Sequence, residues 1–252
     1  METSASSSAS TRFLRLENFV EPLRRRPLES DIQAVHRLLS ARAEAGWELV
    51  DVCQDELRVS NLVYHRLSNP LRKPVYAVGE IPIDDSLGDI QSILRYLDLC
   101  LKHDFVPVAV IENFGAKPIA VLKKANHSCA ISRLVAVPLT IAAFGRKRDL
   151  VKDALFELQS EAGMSLACVI HGGLKPVLIA ISHEHDQPYD YLVDQAFGGF
   201  YKNQSTRLSD LIQTRSEEGW HVCASFTDAM QWPCVIFERE TITTPALPLQ
   251  SA

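Results

Sequence analysis

The sequence lacks the features that mark membrane proteins and nucleic-acid-binding proteins. No run of about 18 apolar residues is present, and a membrane-spanning helix needs a run of that length. Lysine and arginine number 26 against 31 aspartate and glutamate residues, which gives a net charge of −5. Binding to phosphate backbones or anionic lipid surfaces requires an excess of positive charge. The composition therefore predicts neither a membrane partner nor a nucleic-acid partner.

The chain also lacks a secretory signal and closely spaced cysteines. Residues 1–12 are Ser-rich without an apolar core, so we expect a disordered tail there and a second one over 242–252. The six cysteines show no C-x-x-C spacing, and several of them lie in apolar strand-like segments. A cysteine in such a segment behaves as a small hydrophobic residue. Reduced thiols and a cytoplasmic location are the expectation.

Motifs of the common enzyme classes are missing as well. The chain has no P-loop, no G-x-S-x-G, no G-x-G-x-x-G after a strand and no H-E-x-x-H. Its isolated Gly-Gly pairs are typical of turns. The sequence therefore argues against an enzyme, indicates no catalytic residue and implies no cofactor.

What the sequence does contain is a fourfold internal repeat. The phrases EAGWELVDVC, KHDFVPVAVI, EAGMSLACVI and EEGWHVCASF each place a large apolar residue before an apolar strand, namely Trp47, Phe105, Met164 and Trp220. These anchors lie 58, 59 and 56 residues apart. A period of this size predicts four copies of one supersecondary unit. The expected boundaries are 13–68, 73–126, 128–186 and 189–241.

The second copy shows how each unit is built. PVYAVGEIPI has the pattern of a strand, and Ser86 with Asp89 resembles a capping box at the start of a helix; Ser30 with Gln33 does the same in the first copy. Apolar residues then follow at helical spacing: Ile90, Ile93, Leu94, Leu97 and Leu101. FVPVAVI and IAVLKK are the next two strands. The predicted fold class is α+β, with four pseudo-symmetric β-α-β-β repeats forming antiparallel sheets whose outer faces carry the helices.

The residues at the end of each predicted helix also repeat. Three helices are followed directly by glycine, and the second by Asp104: the glycines are Gly46, Gly163 and Gly219. Glycine at this place adopts the left-handed conformation that closes a helix. The large residue after it can fold back onto the last turn, so we expect a core residue there. In the less favoured alternative, Trp47, Phe105 and Trp220 form a platform for a small ligand.

The four copies differ in the polarity of their strands. VPVAVI, LACVI and VLIAI, from the middle two copies, are apolar on both faces, whereas ELVDVCQ and HVCASFT interleave polar residues. Strands that are apolar on both faces are covered on both faces. We therefore expect the middle repeats at the centre and the outer repeats as more exposed flanks. Two arrangements stay open, pairs 1–2 and 3–4 or a 2–3 core.

A family resemblance follows from these segments. G-W-E-L-V-D-V after an amphipathic helix, with a second strand that ends in His65-Arg66, Lys123-Lys124 or Glu238-Arg239, resembles the small bacterial β-α-β-β domains of unknown function that carry a "GWEL" signature. The resemblance is strongest in repeats 1 and 4. It implies the fold of each unit and no site residues, because those domains carry no agreed catalytic residues.

Histidines are the sharpest candidates for metal ligands. In ISHEHDQPYD, His183 and His185 alternate at the end of a strand, so they lie on the same side and could share one metal ion. The alternative is an exposed polar linker, since two ligands without a third are a weak pattern. His65 and His221 are expected to be isolated surface histidines.

The preferred functional hypothesis is a non-enzymatic binding or assembly module. Four small units offer sheet edges through which a scaffold or adaptor could take a protein partner or self-associate. One alternative is a small-molecule sensor or carrier with a pocket between repeats. The other is a metal-dependent enzyme at the His-rich end of repeat 3.

Overall fold

The computed structural model describes residues 17–54, 59–66, 73–112, 117–125, 131–139, 147–160, 163–170, 176–183, 189–196, 204–228 and 232–241. Repeat 1 contains β1 (Asn18–Pro22), α1 (Asp31–Glu44), β2 (Trp47–Gln54) and β3 (Ser60–Arg66). Repeat 2 contains β4 (Tyr76–Glu80), α2 (Asp89–Leu101), β5 (Phe105–Ile111) and β6 (Ile119–Lys124). Repeat 3 contains β7 (Ile131–Pro138), α3 (Lys147–Ser160), β8 (Met164–Ile170) and β9 (Val177–His183). Repeat 4 contains β10 (Tyr189–Gln195), α4 (Gln204–Glu217), β11 (His221–Thr227) and β12 (Pro233–Glu240). The predicted α+β fold of four β-α-β-β units is confirmed.

Each repeat forms a three-stranded antiparallel sheet in which its last strand is central. The orders are β1-β3-β2, β4-β6-β5, β7-β9-β8 and β10-β12-β11. The strand that follows the helix therefore lies at one edge of its sheet. We call β2, β5, β8 and β11 the inner strands, because they are the edges that meet at the centre of the molecule.

The starts of the helices agree with the sequence in one copy and differ in another. Ser30 forms the predicted capping box with Gln33 at the start of α1. In repeat 2 the predicted box is wrong, since Gly88 is the N-cap of α2 and makes no side-chain bond there. Ser86 instead donates both its N–H and its hydroxyl to the carboxylate of Asp84, which holds it in the preceding turn. No described helix is long and apolar enough to cross a membrane.

The ends of the helices follow the predicted rule in every copy. Positive φ angles of 82°, 76° and 84° occur at Gly46, Gly163 and Gly219. Asp104 takes the same conformation with a φ of 64°. A left-handed residue at this point closes the helix and redirects the chain into the inner strand. The local rule therefore holds even where the glycine is missing.

The four repeats form a closed ring. The helix of each repeat packs against its own inner strand and against the first strand of the next repeat, in the pairs α1–β4, α2–β7, α3–β10 and α4–β1. The last of these contacts closes the ring from repeat 4 back to repeat 1. The inner strands follow the same cycle, with contacts β2–β5, β5–β8, β8–β11 and β11–β2.

Each boundary between neighbouring repeats has a hydrophobic core of its own. We call these boundaries the 1–2, 2–3, 3–4 and 4–1 seams. Large buried members of their cores are, in that order, Leu39, Tyr64 and Ile111; Ile93, Leu97 and Ile170; Leu155, Leu178 and Phe226; Leu208, Ile212 and Phe237. Successive strand residues serve opposite seams, as when Leu62 packs into the 1–2 seam and Val63 into the 4–1 seam. Every sheet is thus covered on both faces.

Two of the seams are further linked by a tyrosine hydroxyl. The N–H of Leu49 donates to Tyr76 of repeat 2 at 2.7 Å, and the N–H of Leu166 donates to Tyr191 of repeat 4 at 3.1 Å. In repeat 2 the residue equivalent to these leucines is Pro107, which has no N–H to satisfy. The hydroxyls therefore pair backbone groups that the inner strand leaves without a ladder partner.

The expected burial of the middle repeats between exposed flanks is wrong. All four seams exist, so neither the 1–2 and 3–4 pairing nor a 2–3 core describes the molecule. The polar residues of the outer repeats are interior: Asp51 and Ser225 are each 3% exposed, and the Ser225 hydroxyl donates to the Asp51 carboxyl across the 4–1 seam. A polar side chain can occupy a core when a neighbouring sheet supplies its partner.

Candidate functional site: a pocket at the centre of the ring

A pocket of about 330 Å³ lies where the four inner strands meet, with residues from every repeat in its wall. We call it the central pocket. Its volume is at the lower end of the range for small-molecule sites. Its apolar wall and its polar groups come from equivalent positions in the four copies, so the repeat itself builds the site.

The apolar wall is formed by four β-bulges. The pairing of each inner strand shifts register at the same place, between Leu49 and Asp51 in repeat 1 and at the equivalent points elsewhere. The bulged residues all line the pocket: Val50, Val108, Ala167 and Cys223. A bulge bends the strand and redirects its side chains. The four bulges therefore turn the inner strands around a common cavity.

The polar groups of the pocket come from cross-strand pairs beside the bulges. Glu48 lies opposite His65 in repeat 1, and His221 lies opposite Glu238 in repeat 4, so the two repeats carry the same pair with the strands exchanged. In repeat 2 the equivalent pair is Val106 and Lys123, and Lys123 is its polar member. Side chains directly opposite each other on one face of a sheet lie within contact range.

Glu48 and Lys123 neutralise each other across the 1–2 seam. The Lys123 ammonium donates to Glu48 Oε1 at 2.5 Å, and His65 Nε2 lies 3.9 Å from Glu48 Oε2. Both members of the ion pair are at least two-thirds removed from solvent. The positive charge of Lys123 is thus already engaged within the protein.

The two histidines of the pocket are half-buried, which corrects their expected surface positions. Burial lowers the pKa of His65; the charges of Lys123 and His221 add to this, while Glu48 opposes it. Burial also lowers the pKa of His221, against the attraction of Glu240. Both imidazoles are therefore neutral near pH 7.

The pKa of Glu238 is strongly perturbed in the pocket. The residue as a whole is half-buried, but its Oε2 atom is enclosed and no described residue offers it a hydrogen bond. The same holds for Nδ1 of the facing His221. Burial, with a contribution from the charge of Glu240, raises the pKa of Glu238 to about 8. The pocket therefore holds this carboxyl largely protonated at neutral pH.

The cysteines near the centre are not activated. Burial raises the pKa of the Cys168 and Cys223 thiols, and the charge of Asp51 raises both further. The Cys223 thiol donates to the carbonyl oxygen of Ile236 at 3.4 Å. A nucleophilic cysteine requires a lowered pKa, so Cys223 contributes apolar wall rather than chemistry.

The aromatic residues considered as a ligand platform lie in the seams. The ring of Trp47 is tilted against the ring of Phe19, with the centroids 5.7 Å apart. Phe105 packs against the core of the 2–3 seam. The guanidinium of Arg239 lies 4.3 Å from the ring centroid of Trp220. None of the three aromatic anchors is among the described residues that line the central pocket.

The histidines considered as metal ligands are only partly within the described residues. His183 is the last residue of β9, opposite Ile131, and His185 lies outside the described residues. Within the part of the chain that the structure describes, no three His, Cys, Asp or Glu side chains are grouped to hold a metal ion. A metal site at these histidines stays a prediction.

A sequence signal for the pocket existed, although it was weak. Glu48 and His221 each follow a tryptophan anchor directly, where the middle repeats have Val106 and Ser165. Alignment of the four repeats thus shows a charged or titratable residue at this position in repeats 1 and 4. Their assembly into a single site depends on closure of the ring, which no spacing along the chain indicates.

Comparison of the chain with protein-family models, with curated proteins and with solved structures found no match. The resemblance of each unit to small "GWEL" domains therefore stays a prediction. The function has to be inferred from the central pocket.

Proposed function

We propose that the protein is a non-enzymatic binding module that holds a small molecule in the central pocket. The observation that carries this proposal is a cavity built by all four repeats, in which Glu238 Oε2 and His221 Nδ1 are enclosed without a partner among the described residues. Native proteins pair nearly all their buried polar atoms. A ligand that displaces the neighbouring side chains and bonds to these atoms would complete the site.

The chemistry of the pocket favours binding over catalysis. A catalytic site combines a nucleophile or reactive group with a base that is oriented by a third group. The Cys223 thiol has a raised pKa, and Glu48 is engaged by Lys123. The polar groups of this pocket are thus suited to recognition, and we propose no catalytic residue.

A protein partner is the second proposal, and it has less support. The expectation of strand addition relied on free sheet edges. The inner strands occupy the centre of the ring, and each outer strand is contacted by the helix of the preceding repeat. Self-association is tested by light scattering of the purified chain, where a single monomeric species at micromolar concentration would contradict it.

A thermal-shift screen against a metabolite library tests the binding proposal. A compound present at 100 times its dissociation constant stabilises the folded state by roughly 2.7 kcal/mol. Replacing the pocket residue Ala167 by Phe should fill the cavity and abolish the shift, whereas Ala41→Phe on the exposed side of α1 should leave it unchanged. The proposal fails when no compound stabilises the protein, or when Ala167→Phe preserves every shift.

A further inference from the structure

The two unpartnered atoms of the central pocket belong to residues that lie opposite each other on one pair of strands. His221 and Glu238 are register partners on β11 and β12, so their side chains lie on the same face of the sheet. A neutral imidazole presents one nitrogen as an acceptor, and an ionised carboxylate presents only acceptors. The N–H of the neutral imidazole is then the remaining donor, so the pair offers mainly hydrogen-bond acceptors once Glu238 has lost its proton.

The described residues around Glu238 also offer it no positive charge. The titratable groups that influence it or face it are Glu240 on its own strand, His221 and Cys223 on β11, and Tyr191 on β10. Arg239, the next residue along β12, has its guanidinium over the ring of Trp220 and 3.6 Å from Asp190. Lys123, the cation among the described pocket residues, is engaged by Glu48.

From this arrangement we infer that the ligand of the central pocket is a small organic cation, whose ammonium or guanidinium group donates to Glu238 and His221 while its apolar part contacts the bulged residues. This inference rests on the proposed binding function and names the chemical class of the ligand. Among the described pocket residues, an anion of the same size would meet two glutamates and two neutral imidazoles, with only the engaged Lys123 to attract it.

Binding of a cation should depend on pH through Glu238. The pKa of this carboxyl is raised to about 8, so a cation must displace its proton at lower pH. Affinity should therefore rise with pH and level off above the pKa, with a gain of roughly 100-fold between pH 6 and pH 9 for a ligand whose own charge is constant. Alkylguanidinium satisfies that condition because it stays charged throughout this range.

The test is calorimetric titration of the full chain with butylguanidinium, with the neutral butylurea and with the anionic pentanoate, each at pH 6, 7, 8 and 9. The cation should bind with the stated pH dependence, and at pH 9 the other two should bind at least tenfold more weakly. Glu238→Gln should remove both the affinity and its pH dependence. Glu80→Gln, the same change at an exposed position of β4, should alter neither.

The outcomes separate the inference from the proposed function. Equal affinity for the three probes, or binding that Glu238→Gln leaves intact, overturns the cation inference. A neutral or anionic library compound that Ala167→Phe displaces would overturn the inference while preserving the binding function. A circular dichroism melt of Glu238→Gln should show a folded protein. If that variant is unfolded, Glu238→Asp takes its place. Because the shorter side chain keeps the charge but reaches less far, the affinity for butylguanidinium should fall at least tenfold.

Discussion

The seam that closes the ring differs at its centre from the three seams that precede it. Equivalent positions beside the bulges meet across each seam, and at three of them they are apolar: Val52 and Ala109, Val110 and Cys168, and Val169 and Ala224. At the 4–1 seam the same positions hold Ser225 and Asp51, joined by a hydrogen bond. The difference shows that the repeats share a backbone plan while the closing contact has its own chemistry.

The polar pair has a consequence for assembly of the ring. If repeat 4 packed against an apolar seam, Ser225 or Asp51 would be buried without its partner. A buried polar group without a partner is unfavourable. The pair therefore favours the contact between repeats 4 and 1 over other arrangements of similar repeats.

The largest predicted effect is the dependence of stability on pH. Burial raises the pKa of Asp51 from 3.8 to about 7, so the folded state holds a proton that the unfolded chain releases. This contribution to stability is present below pH 3.8 and is lost as the pH rises through 7. The loss amounts to about 4 kcal/mol at 1.36 kcal/mol per pH unit. Urea unfolding at pH 5, 7 and 9 measures the part of this loss that falls above pH 5, which is about 3 kcal/mol.

Asp51→Asn separates this effect from that of Glu238, whose pKa is also raised. The variant should be less pH-dependent than the natural protein and more stable at pH 9, because its amide stays neutral. Asp85→Asn, at an exposed position, is the matched control and should follow the natural protein. Parallel curves for the natural protein and Asp51→Asn would show that Asp51 does not titrate in the folded state over this range.

A double-mutant cycle compares the closing seam directly with the others. Ser225→Val places the residue of the other repeats opposite an unpaired carboxyl and should cost about 1–3 kcal/mol at pH 7. Adding Asp51→Ala reproduces the apolar pair of the 1–2 seam and should recover most of that loss. Urea unfolding of the four proteins gives the coupling free energy. Strictly additive single effects would contradict a direct interaction between the two residues.

The smallest predicted effects are at the helix ends, where the repeats should behave alike. Gly46→Ala and Gly219→Ala introduce a Cβ at positive φ and should each cost about 1–2 kcal/mol, despite the different seams that they border. Asp104→Gly should instead stabilise the protein by up to about 1 kcal/mol, because it relieves the same conformation. Thermal melts of the three variants show the order of their stabilities. A stabilising Gly46→Ala would show that this helix end does not need the left-handed residue.

The sequence predicted the local parts of this fold well. Gly46, Gly163 and Gly219 identified the helix ends, and the helical spacing of Ile93 and Leu97 identified a buried face. These features depend on the backbone and on residues a few positions apart. The Ser86 box failed because a nearer acceptor, Asp84, competed for the serine.

The candidate site was largely hidden from the sequence. The polar residues Asp51 and Ser225 predict a more exposed strand from sequence, since alternation shows which residues share a face but not what covers that face. His65 and His221 were expected at the surface for the same reason. Residues of repeats 1 and 4 meet because β11 packs against β2 and α4 against β1, which are contacts between opposite ends of the repeat array.

The repeat, the order of elements within it and the left-handed residue that ends each helix were determined by the sequence alone, because each follows from short-range backbone and side-chain preferences. Closure of the ring, the buried Asp51–Ser225 pair and the central pocket were decided by the tertiary structure. Those features depend on which sheet covers which. Which sheet covers which depends on the fit of whole surfaces from different repeats. The apolar pattern of a strand does not show this, because the pattern is the same whichever surface packs against it.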